Sequence, residues 1–202
     1  MRAMSSALQL TGALLAQQLQ ALRRNHALEH ATLHVLAQHF PQALLAGRAD
    51  ARGFVLYGSV PGAAVQAAAH SALQRLRSGE QQLALHPNCG TNLVAAGLLA
   101  ALAVGLATAG SARSRLARLL RVPLLAGLLP LAMLAARPLG YAAQRSLTTS
   151  SAMGALRIHS VTRTERAGWV RHRVQTRAAA AGAALQSIAL PDSAAAGNET
   201  QS

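Results

Sequence analysis

Lysine is absent from this chain, and the shortages around that absence narrow what the protein can be. All 19 basic residues are arginines, set against six acids, for a formal charge of +13. Charged residues make up 12% of the chain, about half the share usual in soluble domains. Hydrophobic residues make up 51%, too many for a chain that is disordered throughout. A single cysteine, Cys89, precludes an internal disulfide and gives no reason to place the chain in an oxidising compartment. One Trp, two Tyr and two Phe are too few for the stacking platforms that grip single-stranded nucleic acid. The arginines are spread through every region, with no basic helix, so no nucleic-acid partner is expected. Anionic lipid headgroups are the simpler complement.

What is present is concentrated in blocks. No charged residue occurs from Gln81 to Ala112, and Leu93–Gly110 is a run of Leu, Ala, Val, Thr and Gly. At 1.5 Å per residue that run covers roughly 27 Å, close to the hydrocarbon thickness of a bilayer. A second uncharged run, Val122–Ala136, contains Pro123 and Pro130 and is bordered by Arg121 and Arg137, which can snorkel. The expectation is a membrane section over 91–145 with spans near 93–110 and 122–137, the second shorter than a standard span. Gly97, Ala101, Gly105 and Ala109 form a small-residue stripe suited to helix–helix packing, against the second arm or another copy.

Residues 1–24 read as an amphipathic helix that is retained. Leu8, Leu15, Leu19 and Leu22 share one face, while glutamines interrupt the apolar content needed for a signal peptide. Residues 25–90 read as a small α/β head. Gly53–Gly58 is a glycine-bounded strand, and Pro61 opens a helix whose apolar face is Val65, Ala69, Ala72, Leu73 and Leu76. Leu83 and Leu85 alternate as in a second strand, so strand–helix–strand implies a parallel pair with a right-handed crossover. Residues 155–177 read as a hairpin turning at Glu165–Gly168, and 178–202 as a disordered tail. The fold class expected is an α+β membrane protein: a small α/β head with a C-terminal hairpin, carried on a helical membrane hairpin.

The chemistry lies with the histidines. His26, Glu29, His30 and His34 fall on one helical face, and His26-x-x-Glu29-His30 is the reversed form of a zinc-peptidase signature. Histidines four apart can direct nitrogens at one cation, and the glutamate can take a proton from water held there. Downstream, His86-Pro87-Asn88-Cys89-Gly90-Thr91-Asn92 places an imidazole and a thiol in a turn just before the first span. Thr91 or Asn92 can cap that helix, and its positive end favours a Cys89 thiolate. His26, His30, His86 and Cys89 are the expected ligands of a zinc ion, with Glu29 as base or supporting partner and Glu80 as a substitute ligand. His39, His70, His159 and His172 share no such spacing and read as ordinary imidazoles.

These segments, Asn25–Thr32, Gly53–Gly58, Ser78–Glu80 and His86–Asn92, together resemble an uncharacterised bacterial membrane family, Domain of Unknown Function 6391. The resemblance runs from about Arg23 to Thr176. More distantly, H-x-x-E-H followed by H-P-x-C-G-T is similar to the uncharacterised YqhQ-like membrane family. The resemblance implies an integral protein of the bacterial plasma membrane and transfers no activity. Reversed-motif zinc peptidases are much longer chains and carry a further glutamate ligand at a spacing this sequence does not match.

Two functional expectations follow. A site closed by four protein ligands would be structural or sensory, and is the reading the sequence favours. A site with an open position would make the chain a membrane-anchored zinc metallohydrolase with Glu29 as general base. The head is expected in the cytoplasm, although Arg113, Arg115, Arg118 and Arg121 would by charge place the connector between the spans there too.

Overall fold

The computed structural model describes residues 2–109, 119 and 121–178. Nothing between Leu22 and Asn25 breaks a helix, so the two amino-terminal segments fuse into one, α1 (Arg2–His39), about 57 Å long. It ends just ahead of Phe40-Pro41, as expected where the following proline disfavours helical backbone. From Asn25 to Leu36 nearly every side chain of α1 is buried or half-buried, so this half is the central rod of the head. Residues 9–20 are exposed on all sides.

Two short strands follow, β1 (Ala46–Asp50) and β2 (Gly53–Tyr57), paired antiparallel across a two-residue turn. Then come α2 (Gly62–Arg77) and a 3-10 turn at Gln81–Ala84. The apolar helices are α3 (Gly90–Thr108) and α4 (Arg121–Ala143), the latter continuing as a π-helical turn over Gln144–Thr148. The chain returns as β3 (Leu156–Arg166) and β4 (Trp169–Ala178), turning through Ala167 and Gly168, both at positive φ.

The sheet order is β1-β2-β4-β3, antiparallel throughout. The strand–helix–strand unit expected from Leu83 and Leu85 does not form. One edge of β2 is taken by β1 and the other by β4, so no parallel partner can reach it. Leu83 and Ala84 are instead adjacent buried residues of the 3-10 turn, and Glu80 before it is tied to Arg75 at 2.6 Å. The expected apolar face of α2 is buried, with Ala68 added. Phe54, Leu56 and Val174 of the sheet join Leu28 and Leu36 of α1 and this face in one core. Asn25 fixes the rod to the sheet: its amide donates to Asp50 O (2.8 Å) and its carbonyl oxygen accepts from Thr176 Oγ1 (2.7 Å).

α3 and α4 are long and apolar enough to cross a membrane, and little of either is buried within the protein. Leu93, Leu98, Leu102, Leu131 and Leu134 face outward. The two helices meet through Ala103 and Ala107 on one side and Ala132, Ala136 and Gly140 on the other. The expected Gly97/Ala101/Gly105 stripe points away from α4, with nothing within 4 Å of where a Cβ would sit on either glycine. Ala103 and Ala107 have the same four-residue period on another face, because alanine is abundant around the helix. At the base of the pair, a Cβ on Gly140 would overlap Asn92, so only glycine permits that approach. Arg113, Arg115, Arg118 and the tail from 179 onward lie outside the described residues.

Acid is expected to weaken the sheet in two stages. His172 on β4 is fully buried, with no hydrogen-bond partner among the described residues for either ring nitrogen. Burial holds its pKa below the usual 6.5, with the backbone at Gly58 and Val60 opposing the fall and Arg163 adding to it. Below 6.5 the unfolded chain takes a proton that the native ring refuses, so this contribution to stability falls with pH from there down to the native value. Asp50 is held below 3.8 by its paired hydrogen bonds with Arg173, so its contribution is complete above 3.8 and lost as pH falls through the lower native value. Melting temperatures from pH 8 to 5 for wild type and His172→Gln check the first stage. The variant should show the shallower fall.

Candidate metal centre

Two histidines of α1 are held by backbone carbonyls from distant parts of the chain. His30 Nδ1 donates to Ala84 O at 2.7 Å, so the 3-10 turn that replaces the expected strand supplies its anchor. His26 Nδ1 donates to Thr148 O at 3.0 Å, at the end of the π-helical turn. A proton fixed on Nδ1 leaves the Nε2 lone pair of each ring free to face outward. That is the orientation by which proteins commonly prepare histidines for a cation.

Cys89 meets them from the loop before α3. It is itself the N-cap of that helix, its sulfur accepting from Thr91 N at 3.4 Å, in place of the cap expected from Thr91 or Asn92. Its Sγ lies 3.3 Å from His26 Nε2. One ligand atom from each of His26, His30 and Cys89 lies within 4.8 Å of the other two, a spacing that can hold a metal ion. Burial raises the Cys89 pKa, but hydrogen bonds from His26, His30 and Thr91 outweigh it and bring it to about 5. Burial lowers the His26 pKa, yet the contact with Cys89 more than reverses this. The sulfur is therefore already in its ligating thiolate form at neutral pH, with His26 and its raised pKa beside it.

His86 stands beside this group but outside it. Its ring centroid is 5.6 Å from that of His30 and 5.1 Å from that of His34. Its Nδ1 accepts from Asn88 N at 3.3 Å, which leaves the proton of the neutral ring on Nε2 and no lone pair to offer. Burial and the neighbouring His30 and His34 lower its pKa to about 4, so the ring is neutral. His34 donates through Nε2 to Leu85 O at 2.8 Å and stands outside the group. Glu80, tied to Arg75, takes no part.

Glu29 lines the same cleft as His26, His30 and Cys89 and is 4% exposed. No hydrogen-bond donor among the described residues reaches its carboxylate. Burial raises its pKa, with the charges of His30 and His26 acting against the rise. Its carboxylate rests on Gly47 of β1, where a Cβ would overlap it.

Sequence reasoning missed Gln144, which joins the loop to the helical hairpin. Fully buried, it accepts from His86 N at 2.9 Å, and its amide donates to His86 O at 3.1 Å and Asn92 Oδ1 at 2.7 Å. A lone glutamine at the end of an apolar helix was the available signal. Thr148 and Ala84 act through backbone carbonyls, which leave no mark in a sequence. The whole site opens into a cleft of about 880 Å³ whose walls include Leu19, Leu22 and Leu147.

The model of a family described as "Domain of unknown function (DUF6391)" matches residues 21–161, which takes in both histidines, Glu29, Cys89 and both apolar helices. An uncharacterised protein of Picosynechococcus sp. is 42% identical over 94 residues, covering 42% of this chain and 46% of that relative. The match thus spans about half the length of the relative. No solved structure matches the chain.

Proposed function

The chain belongs to the DUF6391 family, and from that premise we propose that it is a membrane-embedded metallohydrolase, with His26, His30 and Cys89 as ligands and Glu29 as general base. The observation that carries this reading is the count of groups that converge. Among the described residues, three candidate ligands rather than four have donor atoms within 4.8 Å of one another, beside an open cleft. Three protein ligands with one position left for water is the pattern of catalytic zinc sites, whereas structural sites are closed by four. A metal there would polarise a carbonyl or phosphoryl oxygen and make water easier to deprotonate. Glu29 takes that proton, and its raised pKa suits the task. The Nδ1 anchors on Ala84 and Thr148 keep both imidazoles in the ligating tautomer. The membrane reading rests on the two apolar helices and their outward leucines.

Zinc-edge X-ray absorption on the full-length protein in lipid nanodiscs tests the coordination. The expected fit is one sulfur, two imidazole nitrogens and one light exchangeable ligand. A fit with three imidazoles and one sulfur would bring His86 in, close the site and return the protein to a structural or sensory role.

Gly47→Ala gives a second check on the base. The new methyl would overlap the buried Glu29 side chain from Cγ to the carboxylate, so that side chain must shift and a modest fall in melting temperature is expected. Hydrolysis should fall while metal content holds, because a base must sit within hydrogen-bond reach of the proton it takes. Rates and metal analysis on the same preparation decide it.

A further inference from the structure

Residues paired across strands point to the same side of a sheet, so the register assigns each strand side chain to a face. The Cβ direction of Gly47 meets Glu29 on α1, and Thr176 bonds Asn25, which marks the covered face. The other face gathers six arginines scattered through the sequence: Arg48 on β1, Arg157 and Arg166 on β3, and Arg171, Arg173 and Arg177 on β4. Asp50 is the one acid on that face among the described residues. We propose that this arginine face docks an extended acidic segment of a partner protein, whose carboxylates take the arginines that Asp50 leaves unpaired. The inference is independent of the metal centre and of any hydrolytic activity.

Three observations carry it. The first is unspent charge. Arg48, Arg157, Arg166, Arg171 and Arg177 are exposed and form no hydrogen bond or ion pair among the described residues. Arg157 and Arg177 are also direct register partners, and like charges opposed across two strands destabilise the pairing. A carboxylate between them would turn that repulsion into attraction.

The second is pairing chemistry. Arg173 already holds Asp50 in a fork, Nη1 donating to Oδ2 and Nη2 to Oδ1, the latter at 3.0 Å. This is the geometry in which a guanidinium takes a carboxylate on two bonds. Side chains two apart on a strand stand about 6.8 Å from each other, and an extended partner presents alternate carboxylates at the same interval. Nucleic acid is the poorer fit. Tyr57 and Trp169 lie together at one end of the face, and no Trp, Tyr or Phe stands among Arg48, Arg157, Arg173 and Arg177 to stack a base.

The third is direction. Arg23 binds the end of the helical hairpin at Ser146 and Thr149, whereas Asn25 binds the sheet at Asp50 and Thr176. Residues two apart on a helix are about 200° apart round its axis, so hairpin and sheet join α1 on opposite sides. The arginine face lies on the far side of the sheet from α1, turned away from that attachment.

The test uses full-length protein in phosphatidylcholine nanodiscs and a fluorescent peptide of alternating Asp and Thr, read by anisotropy at low salt. Wild type should bind the peptide. Arg171→Gln combined with Arg177→Gln should weaken binding about tenfold, since each exposed ion pair contributes up to about fivefold. Arg145→Gln combined with Arg163→Gln removes the same charge from the end of the helical hairpin and from the covered side of β3, and should leave affinity unchanged. Affinity should fall as salt shortens the screening length. No binding by wild type, or equal losses in the two double variants, overturns the proposal. Tighter binding of an oligothymidylate of equal charge would overturn it in favour of nucleic acid. Loss of peptide binding when phosphatidylglycerol is mixed into the discs would overturn it in favour of the bilayer surface.

Discussion

Glu29→Gln is expected to lower metal-dependent hydrolysis by about 10²–10⁴-fold, the usual contribution of a positioned base, with metal content unchanged. The substitution keeps size and shape against Gly47 and removes only basicity. Glu29 is outside the group of ligand atoms within 4.8 Å, so the cation has no reason to leave. Burial raises its pKa, and the base form is lost as pH falls through that raised value. The acid limb of the wild-type rate profile should therefore lie above the ordinary carboxylate range and vanish in the variant. Initial rates on an activated acyl ester, with metal analysis of the same sample, provide the measurement. Wild-type rates in Glu29→Gln would eliminate this residue as base and leave at most a binding site.

Substituting His30 by Ala is expected to abolish stoichiometric zinc, whereas His86→Ala should weaken binding by no more than about 10–100-fold, the range for groups that support ligands without touching the ion. Both residues are ligands expected from the sequence, and hydrogen bonds separate them. His30 gives Nδ1 to Ala84 and keeps Nε2 for the site, while His86 accepts from Asn88 through Nδ1. Titration with a competing chelator distinguishes the variants. Equal losses would mean that His86 rotates in to ligate. Affinity in the wild type should also rise with pH through the raised pKa of His26, whose proton must leave before Nε2 can bind. The thiol adds little to that slope above about 5, where it is already ionised.

Local pattern made part of this site legible. Four residues of one helical face, His26, Glu29, His30 and His34, follow from the period of the α-helix, and Cys89 near a helix start follows from the charge-free run behind it. β1 was not legible, because Ala46-Gly47-Arg48-Ala49-Asp50 has no apolar alternation and becomes a strand by pairing with β2. Leu83 and Leu85 showed the opposite failure. Two alternating leucines suit a strand as well as a tight turn, and the choice fell to a sheet with no vacant edge.

The sequence by itself determined the donors, the apolar helices and the hairpin, since each depends on neighbours within a few turns or a short run of chain. The tertiary structure alone decided which donors meet. Imidazole direction depends on carbonyls of Ala84 and Thr148, 54 and 122 residues away from the rings they hold, and any backbone carbonyl looks alike in a sequence. It also decided that these residues line an open cleft, because a cleft is a property of packing around a point and belongs to no single residue.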